Sequence, residues 1–110
     1  MREGRWAHEV FVALWLNTRH QLIEYEELFR GTIDATAIFP REVVKAALGR
    51  NAAAVIFAHN HPSGNATPSA EDRNITARLK QALTLVDVRV LDHVVIGGTT
   101  MASMAELGCL

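Results

Sequence analysis

A purely apolar run, Ala52 to Ala58, ends in His59-Asn60-His61-Pro62-Ser63-Gly64, and this junction constrains the fold more than any other stretch. Apolar runs of that length bounded by turn residues read as buried strands. If His59 and His61 keep a strand's period of two, both imidazoles point the same way, with Cα atoms about 7 Å apart. Pro62 and Gly64 break the strand, and Ser69-x-x-Asp72 opens a long amphipathic pattern. Two histidines and a carboxylate are a ligand set for a catalytic zinc, with the fourth position left to water.

Each of these residues also has a plain structural explanation. A buried histidine is commonly a hydrogen-bonded core residue. Ser69 with an acid three residues on is a helix-start signal, and Pro62 and Gly64 suit an ordinary strand-to-helix turn. What favours a site is their concentration: all fall within fourteen residues at a strand end, where α/β proteins place their chemistry. Capping and catalysis are also compatible, because a helix N-terminus favours an ionised acid. Glu9 stands out at the head of an otherwise apolar strand, Val10 to Leu16. It reads either as an exposed strand-start residue or as a general base beside a metal-bound water. Glu24, Glu26 and Glu27 cluster in a more polar strand and read as solvated.

Taken in order, His8 to Leu16 predicts a strand buried on both faces, and Gln21 to Phe29 its hairpin partner near an edge. A short strand is expected at Ala37 to Phe39. Pro40 suits the first turn of a helix that carries Val43, Val44, Ala47 and Leu48 on one side, with Gly49 placed to end it. Ala52 to His59 is the next strand. Ile75, Leu79, Ala82, Leu83 and Val86 recur at helical spacing from Ser69 to about Leu85. Val88 to Ile96 reads as another strand, Gly97-Gly98 as a turn, Thr99 to Ala102 as a returning strand and Ser103 to Leu107 as a last helical turn. The fold class is α/β (α+β), a mixed sheet with helices packed on it.

The 110 residues form one domain, 49% apolar, with 11 Lys and Arg against 12 Asp and Glu. The absence of a basic excess weighs against nucleic-acid binding without removing it. The single cysteine, Cys109, cannot form an intramolecular disulfide and suits a reducing compartment. No apolar run approaches the roughly 20 residues that span a bilayer, and the charged start, Met1 to Trp6, leads into no signal-peptide core. The expected location is the cytoplasm, with no membrane association.

His59-x-His61-Pro62, six residues and then Ser69-x-x-Asp72, with a Glu far upstream on a strand, resembles the JAMM motif of the MPN family of zinc metallopeptidases. More closely, the chain is similar to the C-terminal domain of the RadC family, labelled as DNA-repair proteins. That closer match rests on Glu9-Val10-Phe11, Glu27-Leu28-Phe29-x-Gly31-Thr32, Pro40-Arg41-Glu42-Val43, His59 to Gly64, Pro68-Ser69-x-x-Asp72 and Leu91-Asp92-His93. The family's N-terminal helix-hairpin-helix region has no counterpart in these residues, so DNA binding by that region does not transfer.

The resemblance implies an MPN/JAB architecture, related to the cytidine deaminases, with a single sheet flanked by helices. It assigns His59, His61 and Asp72 to Zn2+, Glu9 to proton transfer and Ser69 to the developing oxyanion. The implied reaction is hydrolysis of a peptide or isopeptide bond, with a protein or peptide as substrate. The alternative is a non-catalytic metal-binding or protein-interaction module associated with DNA repair or recombination; against it, every motif position is filled. A zinc deaminase would need Pro-Cys-x-x-Cys ligands, which are missing. A His-Glu-x-x-His site is also absent, because Val12 stands where the second histidine would be. Asp92-His93 fits a hydrogen bond in the sheet better than a partner role to a zinc histidine. Asn60, between the ligands, should point the other way, and His8 and His20 read as surface residues.

Overall fold

A computed structural model describes residues 8–33 and 37–110. The charged start from Met1 to Trp6 lies outside them. Among the described residues, five strands and two helices follow one another as β1 (Glu9–Leu16), β2 (Leu22–Gly31), α1 (Pro40–Gly49), β3 (Ala54–Asn60), α2 (Ala70–Thr84), β4 (Arg89–Gly97) and β5 (Thr100–Ser103). The strands make one mixed sheet in the order β2-β1-β3-β4-β5. Only β3 and β4 run parallel, and α2 is the crossover between them, as parallel neighbours require. This is the α+β mixed sheet that the alternation of apolar runs predicts.

The order explains the apolar density of the two central strands. β1 is paired on both sides, by β2 and by β3, and Phe11, Val12, Ala13, Trp15 and Leu16 are all buried. β2 is an edge strand and correspondingly polar and exposed. Phe11, Ala13 and Trp15 of β1 and Val55 and Phe57 of β3 form one core with Val43 and Ala47 of α1 and Ile75, Leu79 and Leu83 of α2. Fully burying side chains of this kind contributes roughly 1.5–3 kcal/mol each. The indole of Trp15 is satisfied within that core, because its Nε1–H donates to Glu26 Oε1 at 2.8 Å. Glu26, half-buried beside Arg50, is thus a structural acceptor and not a solvated charge; Glu24 and Glu27 are exposed as expected.

One local expectation is corrected. Ala37 to Phe39 forms a turn into α1 and not a strand. Gly49 ends α1 as expected, and the left-handed conformation after the helix belongs to Asn51, φ 55°, one of the few non-glycine types that adopt it readily. Ser103 to Leu107 forms the single last turn expected there, Leu107 N–H donating to Ser103 C=O at 3.1 Å.

Candidate metal centre

The register of the central strands brings the site together. Phe11 of β1, His59 of β3 and Val95 of β4 lie side by side. His59 therefore points into the core face, where it is buried and stacks on Phe11 at 5.7 Å between ring centroids. His61 is two residues on, past the printed end of β3, yet its N–H still donates to Ile96 C=O at 2.7 Å and continues the parallel ladder. Strand periodicity is thus preserved across both histidines, and their rings approach to 4.9 Å.

The acid arrives from the next element. Ser69 is the N-cap of α2: its Oγ accepts from Asp72 N–H at 3.0 Å, and its own N–H donates to Asp72 Oδ2 at 2.7 Å. This reciprocal capping box locks the aspartate rotamer and faces the carboxylate back toward the strand end. Oδ1 then lies 3.0 Å from His59 Nε2, and Oδ2 lies 2.9 Å from His61 Nε2. One ligand atom from each of His59, His61 and Asp72 falls within 4.8 Å of the others.

The loop between strand and helix is held tightly. Gly64 takes φ 88°, and its N–H donates to His61 C=O at 3.0 Å. The Asn65 side chain accepts from Thr67 N–H at 2.9 Å. The Asn65 carbonyl oxygen, which can only accept, sits 2.8 Å from His61 Nδ1. His61 Nδ1 therefore carries a proton, and Nε2 is the ring nitrogen turned toward the carboxylate.

This donor set fits a metal ion. His59 Nε2 is buried and makes no aligned hydrogen bond despite its 3.0 Å approach to Asp72. A buried polar atom without a partner calls for an explanation, and a cation shared by two imidazoles and a carboxylate supplies one. Burial alone would push the Asp72 carboxyl up. Its contact with His59, the Ser69 N–H and the charge of both imidazoles outweigh burial and hold it well below the usual carboxylate range. The acid is therefore ionised at neutral pH, as a ligand must be.

The other residues singled out in the sequence occupy distinct places. Glu9 begins β1, two residues before Phe11, so by alternation it lies on the face of His59 and at the end of the sheet where His61 emerges. It is half-buried and stands outside the group of three converging ligands. Asn60 points the other way, as expected, and there does something the sequence does not reveal. Its Oδ1 accepts from Val10 N–H at 2.6 Å and its Nδ2 donates to His8 C=O at 3.2 Å. It thereby holds the backbone on both sides of Glu9. His8 and His20 are exposed.

His93 corrects the reading that gave it a sheet hydrogen bond. Its ring is fully buried on the core face, beside Phe57 in the register, and its Nε2 lies 2.7 Å from His59 Nδ1. Burial, and then the proximity of His59, lowers its pKa to about 3, so the ring is neutral. Asp92 takes the structural part instead, accepting from Ser103 Oγ–H at 2.6 Å, from His93 N–H at 2.7 Å and from Ala105 N–H at 3.0 Å. The signal for His93 was its alternation with Asp92 across a strand paired to β3, but only the parallel register puts the ring beside His59.

Comparison with known proteins identifies relatives over nearly the whole chain. The profile of the RadC-like JAB domain matches residues 1–109. A "UPF0758 protein" of Marinobacter nauticus is 62% identical over 109 residues, covering 99% of this chain and 49% of the relative. A protein of the same name from Vibrio cholerae is 63% identical over 103 residues, covering 94% of this chain and 65% of the relative. One from Cellvibrio japonicus is 62% identical over 104 residues, covering 94% and 46%. The chain thus spans about half to two-thirds of the length of these relatives. On the profile match and on these identities, the chain belongs to the RadC-like JAB domain family.

Proposed function

We propose that the protein is a zinc-dependent hydrolase of the JAMM type, acting on a peptide or isopeptide bond. The observation that carries this reading is the convergence of His59 Nε2, His61 Nε2 and both Asp72 oxygens, with all three ligand atoms within 4.8 Å of one another. His59, His61 and Asp72 would hold the ion. Bound there, zinc supplies a Lewis acid and lowers the pKa of a coordinated water toward about 7.

The remaining chemistry falls to side chains of the chain itself. Glu9, on the same face and at the same end of the sheet, accepts a proton from the attacking water and returns it to the leaving amine. The Asn60 clamp on His8 and Val10 keeps that carboxylate in place. Ser69 uses a lone pair to accept from Asp72 N–H, so its own O–H proton remains free to donate to the oxygen that gains charge. A donor of this kind contributes roughly 3 kcal/mol in a transition state.

The test is turnover of a peptide or isopeptide library by zinc-loaded protein, wild type against Glu9→Gln. The glutamine variant should bind zinc like wild type and lose cleavage by at least about 100-fold, the usual scale for a positioned acid–base group. Normal turnover by that variant would remove Glu9 from the chemistry. Absence of turnover by zinc-loaded wild type over the whole library would count against the hydrolase reading itself.

A further inference from the structure

The sheet parts at the end where the metal site lies. Phe11 and His59 are the last residues of β1 and β3 to pair there. Beyond them β1 stays with β2, through the pairs Val10–Arg30 and Glu9–Gly31. β3 stays with β4, through Asn60–Ile96 and the His61 N–H on Ile96 C=O. Had the β1–β3 ladder run on, Glu9 would stand directly opposite His61, with Cβ atoms about 5 Å apart. The two side chains would then fill the space between them. The parting separates the proposed base from the ligand and leaves room there for water and substrate.

An opening of this kind ordinarily strands backbone groups, since every N–H and C=O of a strand needs a partner. The Asn60 side chain prevents that. Its Oδ1 accepts from Val10 N–H at 2.6 Å, and its Nδ2 donates to His8 C=O at 3.2 Å. The amide's orientation is fixed, because a backbone N–H can only donate and a carbonyl oxygen can only accept. One acceptor and one donor on a planar amide are also what the next peptide of β3 would have offered. The two bonds fall on the residues before and after Glu9, so both of its flanks are held from across the gap.

We infer that Asn60 is a positioning residue for Glu9, a side-chain rung that replaces the broken ladder and ties the two halves of the site together. The ligands come from β3, its loop and α2, whereas Glu9 comes from β1. Loss of the rung leaves the ligands in place and releases the base. Misplacing a reacting group by about 1 Å costs roughly 100-fold in rate, which is why the tie matters. The inference rests on the function proposed above for its purpose, though not for its geometry.

The experiment has two readouts. Cobalt(II) alone, in place of zinc, puts a paramagnetic probe at the site, and carbon-detected NMR then reads how steadily the Glu9 carboxyl is held near it. Amide exchange of Val10 in the metal-free protein reads the rung itself. Wild type should show one large cobalt-induced shift for the Glu9 carboxyl and a protected Val10 amide. Asn60→Ala should bind cobalt with less than the roughly 10-fold loss that marks a partner of a metal ligand. Its Glu9 resonance should broaden and lose most of the shift, and Val10 should exchange at least about 10-fold faster. Asn60→Asp keeps the size and the acceptor for Val10 but sets an oxygen against the His8 carbonyl. It should protect Val10 and still lose the wild-type Glu9 shift.

A folded Asn60→Ala that keeps the wild-type Glu9 shift would overturn the inference. So would a loss of cobalt affinity beyond that range, which would assign Asn60 to the ligands instead. If Asn60→Ala does not fold, Asn60→Asp decides by the same Glu9 shift. Wild type that binds cobalt without moving the Glu9 resonance would overturn both this inference and the role given to Glu9. Wild type that binds no cobalt would overturn the metal reading alone. Val10 exchange and the side-chain couplings of Glu9 in the metal-free protein would then still decide the rung.

Discussion

Gly97 offers a test of how tightly the site is held, because it touches none of the ligands. It ends β4 and is buried under the loop that carries Gly64, Asn65 and Ala66. A Cβ added there would lie 2.5 Å from Ala66 N, 2.6 Å from the Asn65 carbonyl carbon and 2.8 Å from the Gly64 carbonyl oxygen. All three are backbone atoms, so no side chain can swing aside. Its φ is not in the left-handed region, so Gly97→Ala acts through contact alone. To reach the closest separation that side chains tolerate, 3.0 Å, the loop must retreat by about 0.5 Å; ordinary contact at 3.4 Å needs about 0.9 Å. Metal–ligand distances tolerate only about 0.2 Å. The displaced segment holds the Asn65 carbonyl that orients His61, so the shift reaches the ligand set directly. Gly97→Ala should therefore weaken zinc binding about 10-fold or more and cost about 1–3 kcal/mol of metal-free stability from overpacking. Chelator competition and urea unfolding measure the two separately. Unchanged zinc affinity in a folded Gly97→Ala protein would refute the claim that this loop sets the site.

Acid should destabilise the metal-free protein in two windows. The folded-state pKa of His93 is lowered to about 3, so between about pH 6.5 and 3 only the unfolded chain takes up this proton, and its contribution falls by roughly 1.4 kcal/mol per pH unit. The Asp92 carboxyl is held low by Ser103, Ala105 and His93 against the opposing effect of burial. Its contribution is therefore present above the unfolded value of about 3.9 and lost as pH falls through the folded one. Urea melts from pH 7.5 to 3.5 should show the upper window in wild type and not in His93→Phe; identical profiles would contradict it. Trp15→Phe should cost about 1–3 kcal/mol by leaving the half-buried Glu26 without its indole donor, and a loss below 0.5 kcal/mol in the same melts would show that the bond contributes little.

The ligand set was legible because it is local. His59 and His61 share a strand, Ser69 and Asp72 share a helix start, and strand period and capping chemistry predict their directions without knowledge of the rest of the fold. The order of strands and helices was legible for a similar reason, since buried β1 and β3 are apolar at both parities and polar β2 lies at the edge. What the sequence could not show depends on register between distant segments. His93 reaches His59 only because β3 and β4 run parallel with Phe57 beside His93. Asn60 reaches the backbone around Glu9 only because β1 runs antiparallel to β3. Glu26 resembled any other acid on an exposed strand until Trp15 and Arg50 were found against it. The missing strand at Ala37 to Phe39 reflects the same limit, because a short apolar stretch before a helix can pack as a turn with no pairing partner.

The central claim is that His59, His61 and Asp72 form one metal site, and the most direct measurement is metal stoichiometry. Wild type and Asp72→Asn, both shown to be folded, would be equilibrated with excess zinc, desalted and assayed for bound metal. The geometry predicts close to one zinc per wild-type chain and a strong loss in Asp72→Asn, which removes a charged ligand from between two imidazoles. Folded wild type that retains no zinc, or an Asp72→Asn protein that retains as much as wild type, would contradict it.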